Sequence, residues 1–374
     1  MKKPCVVLAS GGTGGHIFPA TALAHELLKR GYDVALLTDH RGQRYSDLPD
    51  CVTIIPILNK LSGKTSITAK LAKVFPILKA ARRARQTLKK LNPVCVIGLG
   101  GYPSTPPLLA AILMKIPTII HEQNSVLGQV NRLFAPYVKS IALSFEHTDR
   151  IGKKSKAKCV VTGNPVRPEI KKLSNTRYSP PKKEGPFNLL VLGGSQGARV
   201  FSQLIPKSLS LMDASLRSRI HLVQQCREEL LETTCTDIEK LGISHEISPF
   251  FRDMTQKLGK AHLVICRAGA SSVTELIVTS RPSILVPLPH ATDDHQTKNA
   301  RHIETVGGGY VFPEKSLSPK ALAEKLSFLL SNPATLNEMS SSLDSQQHTK
   351  AAERLAKVVD SLAKPLDKKR NITY

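Results

Sequence analysis

His16 stands directly behind the glycine-rich run Gly11-Gly12-Thr13-Gly14-Gly15, which itself follows the apolar run 5–9. An imidazole, titrating near pH ~6.5 in water, can take a proton from a hydroxyl at neutral pH. Glycines allow positive φ and close approach of the backbone. A helix starting behind them turns N–H groups and a positive dipole end toward an anion. The spacing therefore sets a candidate base beside a candidate phosphate cradle, although a lone histidine there also has a purely structural reading. The same turn recurs in the second half as Gly193-Gly194-Ser195-Gln196-Gly197 after the apolar run 189–192. Ser195 is suited to hydrogen-bond a phosphate from the helix start.

Further polar clusters end apolar runs. His121-Glu122-Gln123-Asn124 closes the run 117–120, and four polar groups in a row are costly to bury unless they line a site or pair with each other. Gly98-Leu99-Gly100-Gly101-Tyr102 makes another glycine turn. Residues 267–275 form a third anion-binding helix start, with Glu275 placed to accept ribose hydroxyls or simply to serve the helix dipole. Residues 290–299 are rich in Asp, His, Gln and Asn, a composition that suits sugar hydroxyls. Gly193-x-Ser195-x-Gly197 also fits the nucleophile elbow of a hydrolase, with Asp293 or Asp294 and a His as partners. That reading leaves the first glycine turn unexplained. Asp39 ends the second apolar run, where a ribose-binding acid would sit in a dinucleotide fold, but Ile17 stands where that fingerprint needs glycine. No metal-ligand spacing is found, so neither a metal site nor a cofactor is expected.

The elements that would position these groups alternate regularly. Apolar, β-branched runs occur at 5–10, 32–39, 51–57, 94–98, 117–121, 140–145 and 158–162, and again at 187–192, 221–225, 245–249, 262–266, 283–287 and 309–312. Helix-like stretches separate them. Continuous apolar strands alternating with helices predict parallel sheets covered on both faces. The 374 residues exceed a single core and fit two α/β domains. We place them at 1–164 and 165–348, around a polar linker at 171–185. A terminal helix at 349–364 is expected to pack back.

Composition narrows the class. Seven scattered cysteines without a CxxC pair point to a reducing compartment. The longest apolar stretch, 108–120, is broken by Lys115 and Pro117 and falls short of the ~20 residues that span a bilayer. The chain reads as a soluble cytoplasmic protein. Its charge of +24 is concentrated: residues 51–121 hold eleven Lys and Arg and no Asp or Glu. Within them Lys70, Lys73, Lys79, Arg82, Arg83 and Arg85 flank Phe75 and Leu78. Two readings stand, a docking face for an anionic membrane at about 1 kcal/mol per basic residue, and a packed helix with a solvated basic face. Few aromatics and no nucleic-acid-binding pattern exclude a nucleic-acid partner.

Taken in order, GGTGGHIFPA (11–20), GLGGYPS (98–104), HEQN (121–124), GNPVR (163–167), GGSQGA (193–198), CRAGASSVTE (266–275) and DDHQTKNA (293–300) resemble the bacterial UDP-N-acetylglucosamine:lipid I N-acetylglucosaminyltransferases. The resemblance implies a GT-B fold, two Rossmann-like parallel-sheet domains with an interdomain cleft. It implies inverting transfer of GlcNAc from UDP-GlcNAc to the MurNAc C4 hydroxyl of lipid I, giving lipid II, without a metal, at the cytoplasmic face of the bacterial inner membrane. Other acceptors on the same fold, and the Ser195 hydrolase, are the alternatives. By similarity His16 is the base, with Glu122 the second candidate. Thr13, Gly14 and Gly15 approach phosphates, Asn124 the donor sugar, and Arg167 and Ser195 the donor pyrophosphate. The Phe251 backbone reads uracil, Ser271 and Ser272 lie over phosphates, Glu275 takes the ribose, and Gln296 and Asn299 read GlcNAc. The basic stretch then becomes a surface for anionic inner-membrane lipids. Thr105, the Ser271-Ser272 pair, Phe251 and His295 depart from the family's usual residues.

Overall fold

The computed structural model describes residues 3–42, 48–58, 74–194, 198–343 and 346–363. These divide into two compact units, one running to Arg167 and resuming at Gln347, the other spanning Pro168–Gln346.

The first unit is a seven-stranded sheet: β1 (Cys5–Ala9), β2 (Asp33–Asp39), β3 (Thr53–Leu58), β4 (Cys95–Gly98), β5 (Thr118–Glu122), β6 (Ser140–Leu143) and β7 (Cys159–Val161). The spatial order is β3-β2-β1-β4-β5-β6-β7, and every pairing is parallel. The apolar runs form strands because both sheet faces are covered. Val6, Leu8, Val34, Leu36, Cys95 and Ile97 enter one core, while Val7, Ala35, Leu37 and Val96 enter the other. This is the period-two alternation of a strand with apolar side chains on both sides. The first face is covered by α1 (Gly14–Lys29) and by the helix Ala351–Ala363, whose Leu355, Ala356 and Val359 join that core. Asp360 accepts from Arg30 at 2.6 Å and from the Tyr32 hydroxyl at 2.9 Å, fixing this last helix to α1 and β2. The second face is covered by α2 (Val74–Leu91) and α3 (Thr105–Leu113). Ala80, Ala84 and Leu88, one turn apart along α2, face inward.

The second unit repeats the plan with β8 (Phe187–Leu192), β9 (Ile220–Gln225), β10 (Ser244–Ser248), β11 (Leu263–Cys266), β12 (Ser283–Leu285) and β13 (Gly309–Val311). The order is β10-β9-β8-β11-β12-β13, again wholly parallel. Phe187, Leu189 and Val191 pack on Phe201, Ile205 and Leu209 of α4 (Arg199–Ser210), and the helix Pro319–Ser331 adds Leu322, Leu326 and Leu329. The two doubly covered parallel sheets agree with the α/β class read from the sequence.

Candidate active site

In an open parallel sheet, ligands collect where the strand order reverses. In the first unit that point lies between β1 and β4, and the two loops leaving it interlock. The Leu99 amide donates to the Ala9 carbonyl at 2.8 Å, and the Gly11 amide to the Gly100 carbonyl at 3.1 Å. His16 sits in the first turn of α1, where the amides of His16 and Ile17 both reach the Thr13 carbonyl. Gly100 and Gly101 adopt φ of +86° and +76°. A Cβ on Gly100 would stand 3.1 Å from His16 Cε1, and one on Gly101 the same distance from His16 Cδ2. The Gly98–Gly101 turn is thus the seat of the imidazole, which explains Gly100 and Gly101 better than ligand approach does, while Gly98 makes room for Leu108.

Thr13 caps α1 in an extended conformation without a side-chain hydrogen bond, and no acid lies in the first turn. Among the described residues no side-chain cap and no first-turn acid offsets the dipole at Gly14 and Gly15, the electrostatic condition for an anion. The Arg167 guanidinium lies over the Phe18 ring, 4.5 Å from its centroid, bringing a cation to the same helix. Asp39 has a different task from ribose binding. Its carboxylate accepts from the amides of Arg41 and Gly42 and pairs with the Arg41 side chain. A Cβ on Gly12 would meet this same carboxylate at 2.2 Å, so the first turn has to pass it as glycine.

The HEQN run ends β5 beside that seat. Glu122 is buried and accepts four hydrogen bonds: from the amide and Nδ2 of Asn124 at 3.0 and 3.1 Å, from the Gly128 amide at 2.7 Å, and from Asn131 Nδ2 at 2.8 Å. A carboxylate so engaged organises the loop 123–131. Gln123 and His121, to which sequence reasoning gave no separate roles, connect to His16 instead. His16 Nδ1 meets Gln123 Oε1 at 3.2 Å. Gln123 Nε2 donates to the Leu99 carbonyl at 2.8 Å and to His121 Nδ1 at 3.0 Å, and His121 Nε2 reaches the Gly163 carbonyl at 3.1 Å. Burial pushes the His121 imidazole down to about 4, against the raising effect of the Gly163 bond.

In the second unit the strand order reverses between β8 and β11. Ser195 follows β8 but lies outside the described residues. The loop after β11 leads into α5 (Ala270–Val278), capped by Gly269 with no side-chain bond. Ser271, Ser272 and Glu275 all ride on this helix, and among the described residues the buried Ser271 Oγ finds no hydrogen-bond partner. Such an atom is costly unless a ligand satisfies it. Arg267 holds the loop by donating to the carbonyls of Val286 and Pro287 and pairing with Glu314. Asn299, on α6 (His295–Thr305), is fully buried and donates to the Ala268 carbonyl at 3.1 Å. Its Nδ2 braces the loop from within. Gln296 is half-buried and accepts from the Leu288 amide at 2.9 Å. Asp293 and Asp294 precede α6 at φ of +57° and +53°, a strained turn for non-glycine residues and one typical of functional sites. Phe251 follows β10, buried under Lys257, whose Nζ lies 4.8 Å from the ring centroid. The segments carrying Phe251, Ser271 and Gln296 follow β10, β11 and β12, so they all leave the carboxyl edge of one parallel sheet.

On α2, Leu78, Lys79, Arg82, Arg83 and Arg85 are exposed, opposite the buried Ala80, Ala84 and Leu88. Lys70, Lys73 and the Phe75 side chain lie outside the described residues. Among the described residues no helix is long and apolar enough to cross a membrane.

Two family models match the chain, the glycosyltransferase family 28 N-terminal domain over residues 6–143 and the C-terminal domain over residues 188–355. The paired parallel sheets, each with polar loops at its switch point, are those of a family 28 glycosyltransferase. The second match also replaces the Ser195 hydrolase reading. A protein of Rhizobium etli named UDP-N-acetylglucosamine–N-acetylmuramyl-(pentapeptide) pyrophosphoryl-undecaprenol N-acetylglucosamine transferase is 42% identical over 363 residues, covering 97% of this chain and 96% of that one. Its namesake in Rhodospirillum rubrum is 43% identical over 358 residues, 96% and 92% of the two chains. The crystal structure of Acinetobacter baumannii MurG matches with a TM-score of 0.76 at 29% identity, covering 96% of this chain and 99% of that one. The chain belongs to this family of pyrophosphoryl-undecaprenol N-acetylglucosamine transferases.

Proposed function

We propose that the chain transfers GlcNAc from UDP-GlcNAc to the MurNAc C4 hydroxyl of lipid I, giving lipid II for peptidoglycan synthesis. The observation that carries the reading is the seating of His16 at the uncapped start of α1, where a base and an anion site adjoin. The relatives' names supply the substrates.

The chemistry follows from the groups present. His16 takes the proton of the attacking hydroxyl as its oxygen closes on the anomeric carbon, and the bond to UDP breaks on the opposite side, inverting the centre. Charge then grows on the departing diphosphate. The uncapped start of α5 and the buried Ser271 Oγ favour that charge, as do Ser272 and Ser195 by similarity. Thr13, Gly14, Gly15 and Arg167 offer a second cationic field, which suits the acceptor's own pyrophosphate or the donor's. Glu275 accepts the ribose hydroxyls and the Phe251 backbone reads uracil. Gln296, whose Oε1 is taken by Leu288, would offer its amide hydrogens to the sugar. Glu122 orients Asn124, by similarity a donor-sugar contact, by holding both of its nitrogens.

The exposed basic and apolar face of α2 completes the reading. It would hold the chain peripherally on anionic lipids at the cytoplasmic face of the inner membrane, where a lipid-linked acceptor resides. Incubation with radiolabelled UDP-GlcNAc and a soluble lipid I analogue tests the assignment. Labelled disaccharide supports it, whereas no product from protein that binds UDP-GlcNAc counts against it.

A further inference from the structure

We infer that Gln123 is a positioning residue for the proton transfer, fixing the tautomer in which His16 Nε2 is the basic nitrogen. The inference rests on His16 being the base, and it adds what makes one nitrogen of that ring the acceptor.

Two backbone carbonyls, which can only accept, fix the direction of this chain of hydrogen bonds. The Leu99 carbonyl lies 2.8 Å from one end of the Gln123 amide, so that end is the NH2 and the orientation of the amide is settled by chemistry. The other hydrogen of this NH2 points to His121 Nδ1 at 3.0 Å, which must therefore accept. His121 then carries its proton on Nε2 and donates it to the Gly163 carbonyl at 3.1 Å. That assignment needs a neutral ring, and burial keeps His121 neutral at physiological pH. With both hydrogens of Gln123 committed, Oε1 faces His16 Nδ1 at 3.2 Å and can only accept from it. His16 is consequently protonated at Nδ1, and its in-plane lone pair lies on Nε2.

A histidine left to water favours the opposite tautomer, with the proton on Nε2. Such a ring would present a donor where the acceptor hydroxyl needs a base. The fixed wall of Gly100 and Gly101 completes the device by limiting where the ring can lie. Gln123 thus acts through His16 without needing to touch substrate, as the orienting partner of a catalytic imidazole does elsewhere.

The test uses the full chain labelled with ¹⁵N-histidine, with His16 assigned by its disappearance in His16→Gln. At pH above its titration, wild-type His16 should show the ¹⁵N pattern of the Nδ1–H tautomer. In Gln123→Leu the pattern should move toward Nε2–H, and kcat should fall by about tenfold to a hundredfold with KM for UDP-GlcNAc unchanged. Gln123→Glu should keep an acceptor at Nδ1–H, stabilise the imidazolium and move the acidic limb of the kcat–pH profile upward by about one pH unit. An Nε2–H pattern in the wild type overturns the inference without any variant. So does a Gln123→Leu protein that loses activity while keeping the wild-type tautomer, or a Gln123→Glu profile that does not move. Should His16→Gln retain wild-type kcat, the base assignment fails, and Gln123 loses its proposed role even if the tautomer stands.

Discussion

His16 Nδ1 lies 3.2 Å from Gln123 Oε1, although 107 positions separate the two residues. The pairing exists because β1, β4 and β5 are neighbours in the sheet, so the loops leaving them converge on one imidazole. The Gly98–Gly101 turn supplies the seat, the end of β5 supplies the acceptor, and the start of α1 supplies the ring itself.

The seat should tolerate no side chain. Gly101→Ala forces a positive φ on an L-residue, at about 1–2 kcal/mol, and sets a methyl against His16 Cδ2. We expect a lower melting temperature and a kcat reduced at least tenfold, since small misplacements of a reacting group are costly. Steady-state kinetics with a thermal melt would show both.

His121 makes stability depend on pH in a defined window. Its value in the folded chain, about 4, lies below that of the unfolded chain. Between about pH 6.5 and 4 the unfolded state therefore binds a proton that the native state refuses, and stability falls as pH drops through this interval. Replacing His121 with Gln should remove about 1.5 kcal/mol of the difference in unfolding free energy between pH 6.5 and pH 5. Urea unfolding of both proteins at the two values measures it.

The donor site predicts an asymmetry between stability and affinity. Ser271→Ala removes a buried hydroxyl that has no partner among the described residues, so the unliganded protein should melt no lower than wild type. UDP affinity should nevertheless fall by about 0.5–1.5 kcal/mol, and by about 1–3 kcal/mol in Glu275→Ala, where a charged acceptor is lost. Calorimetric titration with UDP distinguishes these effects. Unchanged affinity in both variants would remove α5 from the donor site.

Reversing Arg82, Arg83 and Arg85 to Glu tests the docking face. All three are exposed and pack against nothing in the core, so folding and turnover of a soluble acceptor should persist. Partition onto vesicles of anionic phospholipid should drop by two orders of magnitude or more, given about 1 kcal/mol for each basic residue near the surface. Unaltered partition would return α2 to a solvated basic face.

Much of this arrangement is legible in the residues because it depends on local pattern. Strands buried on both faces leave continuous apolar runs, and each described strand coincides with one of them. Glycine turns announce the strand ends. Partner choice is harder to read. Glu122 is a second base only by resemblance, and nothing in the run HEQN tells which groups its carboxylate meets. Only the fold shows that Asn124, Gly128 and Asn131 occupy its oxygens. Asn299 similarly looks like a sugar ligand among polar neighbours, yet α6 turns it inward to the Ala268 carbonyl. Gln123 carries a signal in retrospect: it sits between two groups of the polar run that ends β5, where an unpaired amide could not be buried. Its partner at position 16 is fixed by strand order, which no local pattern encodes.

The most direct test of the account compares His16→Ala with wild type in two measurements on the same preparation, GlcNAc transfer to a soluble lipid I analogue and binding of UDP-GlcNAc. With His16 as the base, kcat falls by about 10²–10⁴-fold while UDP-GlcNAc affinity stays within about twofold, as for loss of an interaction made only in the transition state. Wild-type turnover in the variant would contradict it.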